Sequence, residues 1–261
     1  MDELARFRID GRVALVAGGS GGIGLRICQA LAGVGARVAV VGRNPERLET
    51  ARSSVEAAGS EGLALNLDMT QKADADQAVD ETLGRFGRVD ILVNAVGGGA
   101  GKALYDAEVY PKEAWDWIVD LNLTGVLLPS QAAARAMIAA GAGGRILNIS
   151  SVRGQLGLNA GYSAYVAAKA ALNGLTRQHA TEWAKHGITV NAISPTFVRT
   201  EQVAMLLADP EFEAGIVRRI PLGRIADPDD VVGAVLFFCS DASAFVTGQN
   251  LTLDGGLTAC Q

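Results

Sequence analysis

The sequence predicts an α/β fold: a doubly wound parallel sheet of about seven strands with helices on both faces, in one domain spanning residues 1–261. Two observations carry this expectation. Short apolar runs alternate with longer segments of helical periodicity, and each parallel strand needs such a crossover before the next. The first run, Val13-Ala14-Leu15-Val16-Ala17, also leads directly into glycines at 18, 19, 21, 22 and 24. Strand, tight glycine turn and helix is the Rossmann-type arrangement, in which a helix N-terminus can hold a pyrophosphate.

The expected strands are 13–17, 38–41, 63–67, 91–93, 146–149, 189–193 and 251–253. Helical periodicity falls at 25–31, 45–58, 74–86, 112–140, 163–185 and 228–240. Asn44-Pro45 is a helix start, with Asn as cap and Pro in the first turn. Glycine clusters at 97–101 and 141–144 read as loops, and the first follows a strand, on the edge where such sheets bind ligands. Residues 199–227 break the alternation and read as a small helical insertion able to cover a site.

Composition narrows the function. Hydrophobic residues make up 49% of the chain and charged residues 20%, which excludes a disordered protein. The net charge is -5, without a basic cluster, so neither nucleic acid nor an anionic membrane is an expected partner. No apolar run reaches spanning length, and residues 1–6 lack a charged-then-apolar signal pattern. The expected location is the cytoplasm. Cys28, Cys239 and Cys260 have no metal-like spacing; the first two read as small buried hydrophobes. His179 and His186 read as solvated helix surface, the latter at a helix end before Gly187. No metal site is expected.

Tyr165-Val166-Ala167-Ala168-Lys169 puts a phenol and an ammonium four residues apart, on one face of a helix. A free tyrosine has a pKa of about 10 and is a poor base at neutral pH. Lowering it by about three units needs roughly 4 kcal/mol, reachable only with a close cation in a partly dry site. Taken alone, the pair is as well explained by chance. Its company changes that. Gly144-Arg145-Ile146-Leu147-Asn148-Ile149-Ser150-Ser151 reads as a strand ending in two hydroxyls. Asn122-Leu123-Thr124-Gly125 lies in a helical pattern, Asn94-Ala95-Val96-Gly97 closes the fourth strand, and Asp68 closes the third.

In this combination and order the chain resembles the short-chain dehydrogenase/reductase family, the single-domain branch of about 250 residues. The resemblance runs from Val13 to Gly256. Segments such as Gly42-Arg43-Asn44-Pro45 and Ala208-Asp209-Pro210-Glu211-Phe212 echo its gluconate 5-dehydrogenase-like group. It implies an NAD(P)(H)-dependent enzyme that interconverts a secondary alcohol and a ketone, on a polyol or sugar acid. The runner-up is a 3-oxoacyl thioester or cyclic-ketone/steroid reductase. A non-catalytic dinucleotide sensor would be expected to lack Tyr165 or Lys169. A homotetramer is implied, with 103–138, 151–185 and the strand 249–254 as contact candidates.

The resemblance assigns roles by position. Tyr165 would be the general acid/base, Lys169 would lower its pKa and bond the nicotinamide ribose, Ser151 would polarise the carbonyl, and Asn122 would hold a water linking Lys169 to solvent. Ser150 is the rival to Ser151, and strand register favours Ser151. Gly18, Ser20, Gly21, Gly22, Ile23 and Gly24 would line the pyrophosphate. Asp68 and Met69 would meet the adenine. Asn94, with Ala95, Val96 and Gly97, would steady the sheet and the adenosine ribose. Pro195, Thr196, Val198 and Thr200 would hold the carboxamide. Substrate contacts are expected from Ser151, Arg153, Asn159, Tyr162 and Tyr165. Departures from the family pattern are Ala17, Ala95-Val96, Thr196, and a Ser151–Tyr165 spacing one longer than the shortest.

Gly42, Arg43 and Asn44 address cofactor choice. NAD-preferring members carry an Asp at the second strand end, where this chain has Gly42. Arg43 could pair with a 2′-phosphate through its planar fork. NADP(H) is therefore the expected cofactor, with NAD(H) second.

Overall fold

Seven parallel strands form one sheet in the order β3-β2-β1-β4-β5-β6-β7. They are β1 Val13–Ala17, β2 Arg37–Gly42, β3 Gly62–Asn66, β4 Ile91–Asn94, β5 Gly144–Ile149, β6 Ile188–Pro195 and β7 Asn250–Leu253. This is a computed structural model describing residues 3–260. Residues 1 and 2, part of the stretch read for a targeting signal, lie outside the described residues. All seven expected strands are present, within two residues at each end.

The sheet is covered on both faces, and the strand sequences show why. Along β1, β2 and β4 nearly every residue is apolar, as a strand buried on both sides requires. Alternate residues serve opposite cores. Ala14, Val16, Val38, Val40, Ile91 and Val93 pack with Ile27, Leu31, Val235 and Phe238. Val13, Leu15, Ala39, Val41 and Leu92 pack with Val79, Phe86, Ala133 and Met137. The first core lies under α1 Gly22–Gly33, α2 Pro45–Ala57 and the late helix Val232–Cys239. The second lies under α3 Lys72–Phe86 and two helices that follow β4 and β5. Each fully buried Val, Leu or Ile contributes roughly 1.5–3 kcal/mol, so this two-sided pattern dominates the stability of the sheet.

Local signals explain the helix starts. Asn44 caps α2 by accepting from Arg47 N at 3.0 Å, with Pro45 in the first turn. The expected helix 112–140 is interrupted. It comprises α4 Lys112–Val119, a π turn Asp120–Thr124 and α5 Gly125–Ala140. Periodicity hid the extra residue because the apolar stripe continues across it. α6 runs Ser163–Trp183. The stretch after β6 carries α7 Glu201–Leu207 and α8 Pro210–Val217, and Val232–Cys239 is α9.

His179 departs from expectation. It is 5% exposed and stacks on Trp183 with ring centroids 4.1 Å apart. The face of α6 that carries it turns inward, and burial lowers its pKa. His186 does end a helical turn before Gly187, which is left-handed at φ 72°. Cys28 and Cys239 are fully buried and free, and burial raises both thiols. Among the described residues no helix is long and apolar enough to cross a membrane.

Candidate active site

Successive crossovers leave β1 in opposite directions, toward β2 on one side and β4 on the other. The loops after β1 and β4 therefore part at their carboxyl ends, opening the crevice in which such sheets bind ligands. The glycine turn lines one wall. Gly18 has φ +78°, and a side chain there would meet the Ala95 carbonyl at 2.7 Å. A side chain at Gly24 would meet the Gly18 carbonyl at 2.1 Å, and one at Gly22 would meet Thr200 at 2.8 Å. Gly18 and Gly19 donate to Val41 O at 2.9 and 3.0 Å, which ties the turn to β2. α1 begins behind Gly21, which offers no side-chain cap. The first N–H groups of a helix have no intrahelical partner, which leaves those of α1 available to a bound pyrophosphate.

Facing this wall, β5 ends in Ser150 and Ser151, which point to opposite sides. Ser150 donates to Asn173 Oδ1 at 2.7 Å, deep under α6. Ser151 accepts from Arg153 N at 3.1 Å and acts on Tyr165, favouring its ionised form. The expected register is the observed one. On α6, Tyr165, Lys169, Asn173 and Thr176 form a stripe facing the sheet. Lys169 donates to Ile149 O at 3.0 Å, Asn173 holds Ser150, and Thr176 accepts from Asn148 at 2.9 Å.

Asn122 is fully buried in the π turn. Its side chain accepts from Gly98 N at 2.9 Å and donates to Gly98 O and Ile118 O at 3.0 Å each. It thus ties the glycine loop at Gly98 to the helix that carries Ile118. Asn94, also fully buried, donates to Ser130 and Asn148 at 2.9 Å each. Its side chain steadies the sheet, as expected of this position. Asn148, Ser130, Thr176 and Asn173 complete these networks. Periodicity did not single them out, because a polar residue inside an apolar run does not announce its distant partner.

Electrostatics also departs from expectation. Burial pushes the Tyr165 phenol above its ordinary pKa, and Ser151 and then Arg153 oppose this. Lys169 lies with Nζ 5.7 Å from the Tyr165 ring centroid and donates to Ile149 O. Burial lowers its own pKa to about 8. From the unperturbed 10.5, this is an order-of-magnitude cost of about 3 kcal/mol in the charged form. Below about pH 8 folded and unfolded chains both hold the proton, and the cost is carried in full. Between pH 8 and 10.5 only the unfolded chain keeps it, so stability rises with pH across that window. Lys169→Met is therefore expected to melt higher than wild type at pH 7, by the equivalent of about 1–3 kcal/mol, and the gap should narrow at pH 10. Paired melting curves check this; a lower Tm for the variant at pH 7 would contradict it.

A cavity of about 230 Å³ runs between the two walls. Ala95, Val96, Gly97, Ser151, Arg153, Tyr162, Tyr165 and Lys169 line it, with Pro195, Thr196, Val198 and Thr200. Thr196 Oγ1 is buried without a hydrogen-bond partner. An orphaned hydroxyl between the strand end and the glycine turn suits a carboxamide. The cradle that side chains would fill, the open helix start and this orphan all fit a dinucleotide. The insertion supplies Gln202, Val203 and Leu206 to the cavity, residues the sequence had grouped only as a segment. Asn159 is exposed and outside the lining, because its loop turns over; Leu158 takes the inward place.

At the opposite end Arg43 is exposed and approaches Asp68 at 3.5 Å. Asp68 also accepts from Thr70, and its carboxyl is held below its ordinary pKa, largely by those bonds and Arg43. Gly42 lies beside Ser20, whose Oγ occupies the space a side chain at 42 would take. Asn44 is committed to its cap. Met69 is 3% exposed, and its side chain belongs to the core.

A family model described as enoyl-(acyl carrier protein) reductase matches residues 17–258. Gluconate 5-dehydrogenase of Gluconobacter oxydans is 38% identical, over 97% of this chain and 96% of its own. A 3-oxoacyl-[acyl-carrier-protein] reductase of Synechocystis sp. is 39% identical, over 94% and 96%. The crystal structure of a gluconate 5-dehydrogenase from Burkholderia cenocepacia, in complex with NADP and tartrate, superposes with a TM-score of 0.90 at 36% identity, over 99% of both chains. With this fold and this site, the chain belongs to the short-chain dehydrogenase/reductase family, NAD(P)(H)-dependent oxidoreductases that interconvert secondary alcohols and ketones.

Proposed function

We propose that this protein transfers hydride between NADP(H) and a small polyhydroxy substrate, a polyol or sugar acid, with Tyr165 as general acid/base. The observation that carries the reading is the meeting of Tyr165, Ser151 and Lys169 on one cavity wall, opposite the glycine turn. Gly18, Gly22, Ile23 and Gly24 would hold the pyrophosphate, and Thr196, Val198 and Thr200 the carboxamide. The bound nicotinamide supplies or accepts the hydride. In the reducing direction the Ser151 hydroxyl donates a hydrogen bond to the carbonyl oxygen, and Tyr165 gives that oxygen its proton. In the oxidising direction Tyr165 takes the proton back. Lys169 holds a positive charge beneath the ring and keeps β5 and α6 in register. Asn122 positions Gly97 and Gly98 so that the loop stays clear of Lys169.

The polar groups on the cavity wall, Ser151, Arg153, Tyr162 and Tyr165, favour a polyhydroxy substrate over the runner-up, a long acyl thioester, which the Synechocystis relative keeps in view. A panel of polyols, sugar acids, cyclic ketones and 3-oxoacyl thioesters, followed by nicotinamide absorbance with both cofactors, tests the reading. Preferred turnover of the thioesters would overturn the substrate assignment.

The unpaired cysteines suit a reducing compartment, and we place the enzyme in the cytoplasm. We also propose a homotetramer. Leu104, Tyr105, Val109, Trp115 and Trp117 leave apolar surface on and before α4, and Leu251 does so on the edge strand β7. Sedimentation at micromolar concentration is expected to give four copies; a monomer would refute the assembly.

A further inference from the structure

Arg153 stands on the turn Val152–Gly154 that follows β5, two residues after Ser151. It lines the cavity and is 7% exposed. A buried guanidinium ordinarily has a carboxylate partner, because its five donors lose water on burial. This one has none. Among the described residues no ion pair includes Arg153. Its side chain makes one hydrogen bond, from Nη1 to Gly157 O at 3.1 Å. The charged and titratable groups acting on it are Arg219, Tyr162 and Tyr165. Arg219, exposed just after α8, acts on Arg153 as a second positive charge. The cavity therefore holds an unneutralised cation beside the reacting hydroxyls, with no carboxylate paired to it among the described residues.

We propose that Arg153 is the recognition group for the carboxylate of a hydroxy or keto acid, supported by the second positive charge of Arg219. The inference deepens the function proposed above and rests on it. A planar guanidinium with free donors matches a carboxylate in two parallel hydrogen bonds. The anion would complete a charge the fold leaves unpaired, so acids would bind better than polyols of equal length. Apolar cyclic ketones and acyl chains would leave the cation desolvated and unanswered, and they are selected against. Burial and Arg219 both lower the pKa of Arg153, yet an arginine stays charged at neutral pH.

The test is the ratio of kcat/KM for gluconate over glucitol, with NADP+, in wild type, Arg153→Gln, Arg153→Lys and Arg219→Gln. A ratio cancels losses common to both substrates, including a change at Tyr165 that affects both alike and a partial loss of folded enzyme. Wild type is expected to prefer the acid. Arg153→Gln should lower the ratio roughly ten- to a hundredfold, mainly through KM for the acid. Arg153→Lys should recover part of it, and Arg219→Gln should lower it a few-fold. Malonate should compete with glucitol in wild type and less well in Arg219→Gln, which keeps the test alive if Arg153→Gln does not fold. An unchanged ratio in Arg153→Gln, or failure of malonate to compete, overturns the inference. Wild type that oxidises polyols while ignoring acids overturns it alone. Wild type inert toward every secondary alcohol and ketone overturns the hydride-transfer reading as well. A phosphorylated polyol preferred over the acid would also count against a carboxylate.

Discussion

Tyr165→Phe is expected to lower turnover by roughly 10²- to 10⁴-fold, the range a positioned proton donor contributes. Only a hydroxyl is removed, and the ring keeps its contacts with the cavity wall. Folding and nucleotide binding should therefore survive, and the loss should appear in kcat. The two serines sharpen the test. Ser151 acts on Tyr165, whereas Ser150 is bonded to Asn173 beneath α6. Ser151→Ala should fall by a comparable order in kcat/KM. Ser150→Ala should act mainly on stability, by about 1–3 kcal/mol, because Asn173 Oδ1 loses its donor in a buried site. Steady-state kinetics and melting curves on the three variants decide the matter. Turnover of Tyr165→Phe within tenfold of wild type would remove Tyr165 from the mechanism.

Arg43→Ala is the second large effect. Wild type is expected to favour NADP(H) over NAD(H), and the variant should lose roughly ten- to a hundredfold of that preference. The range is that of a hydrogen bond to a charged group, about 1.5–3 kcal/mol. Its pairing with Asp68 is exposed and weak, so a 2′-phosphate can displace the carboxylate at little cost. Gly42 leaves no carboxylate to repel that phosphate, and Ser20 Oγ fills the space instead. The ratio of kcat/KM for the two cofactors is the measurement. A ratio unmoved by Arg43→Ala, or a clear NAD(H) preference in wild type, would show that this loop does not read the phosphate.

The sheet was legible because its information is local. Each strand is a run of apolar residues whose alternate members meet two separate cores, and Val13 to Ala17 shows both in five residues. The glycine turn was legible for the same reason: strand, turn and helix start are contiguous, and the close approaches at Gly18 and Gly24 admit no side chain. The Tyr165–Lys169 spacing also follows from one helix.

Sequence pattern was silent on the partners of buried polar groups. Asn94 and Ser130 come from one strand–helix unit, Asn148 and Thr176 from the next, and they meet only after the crossovers close. Asn122 was found, but not its hold on the glycine loop, since the π turn and the pinning of Gly98 carry no periodic mark. Lys169 was expected to lower the Tyr165 pKa, yet burial outweighs every opposing group and the phenol is raised. His179 was read as solvated helix surface, and tertiary packing buried it.

The sequence by itself therefore determined the strand order of apolar runs, the nucleotide turn, the family, and which hydroxyls and ammonium could carry proton traffic. Tertiary structure alone decided which of those groups are charged, which are spent as struts, and that Arg153 is left buried without an acid. The reason is physical: strand and helix periods are set by neighbours a few residues away. Desolvation and hydrogen-bond partners are set by atoms that the chain brings together from far along its length.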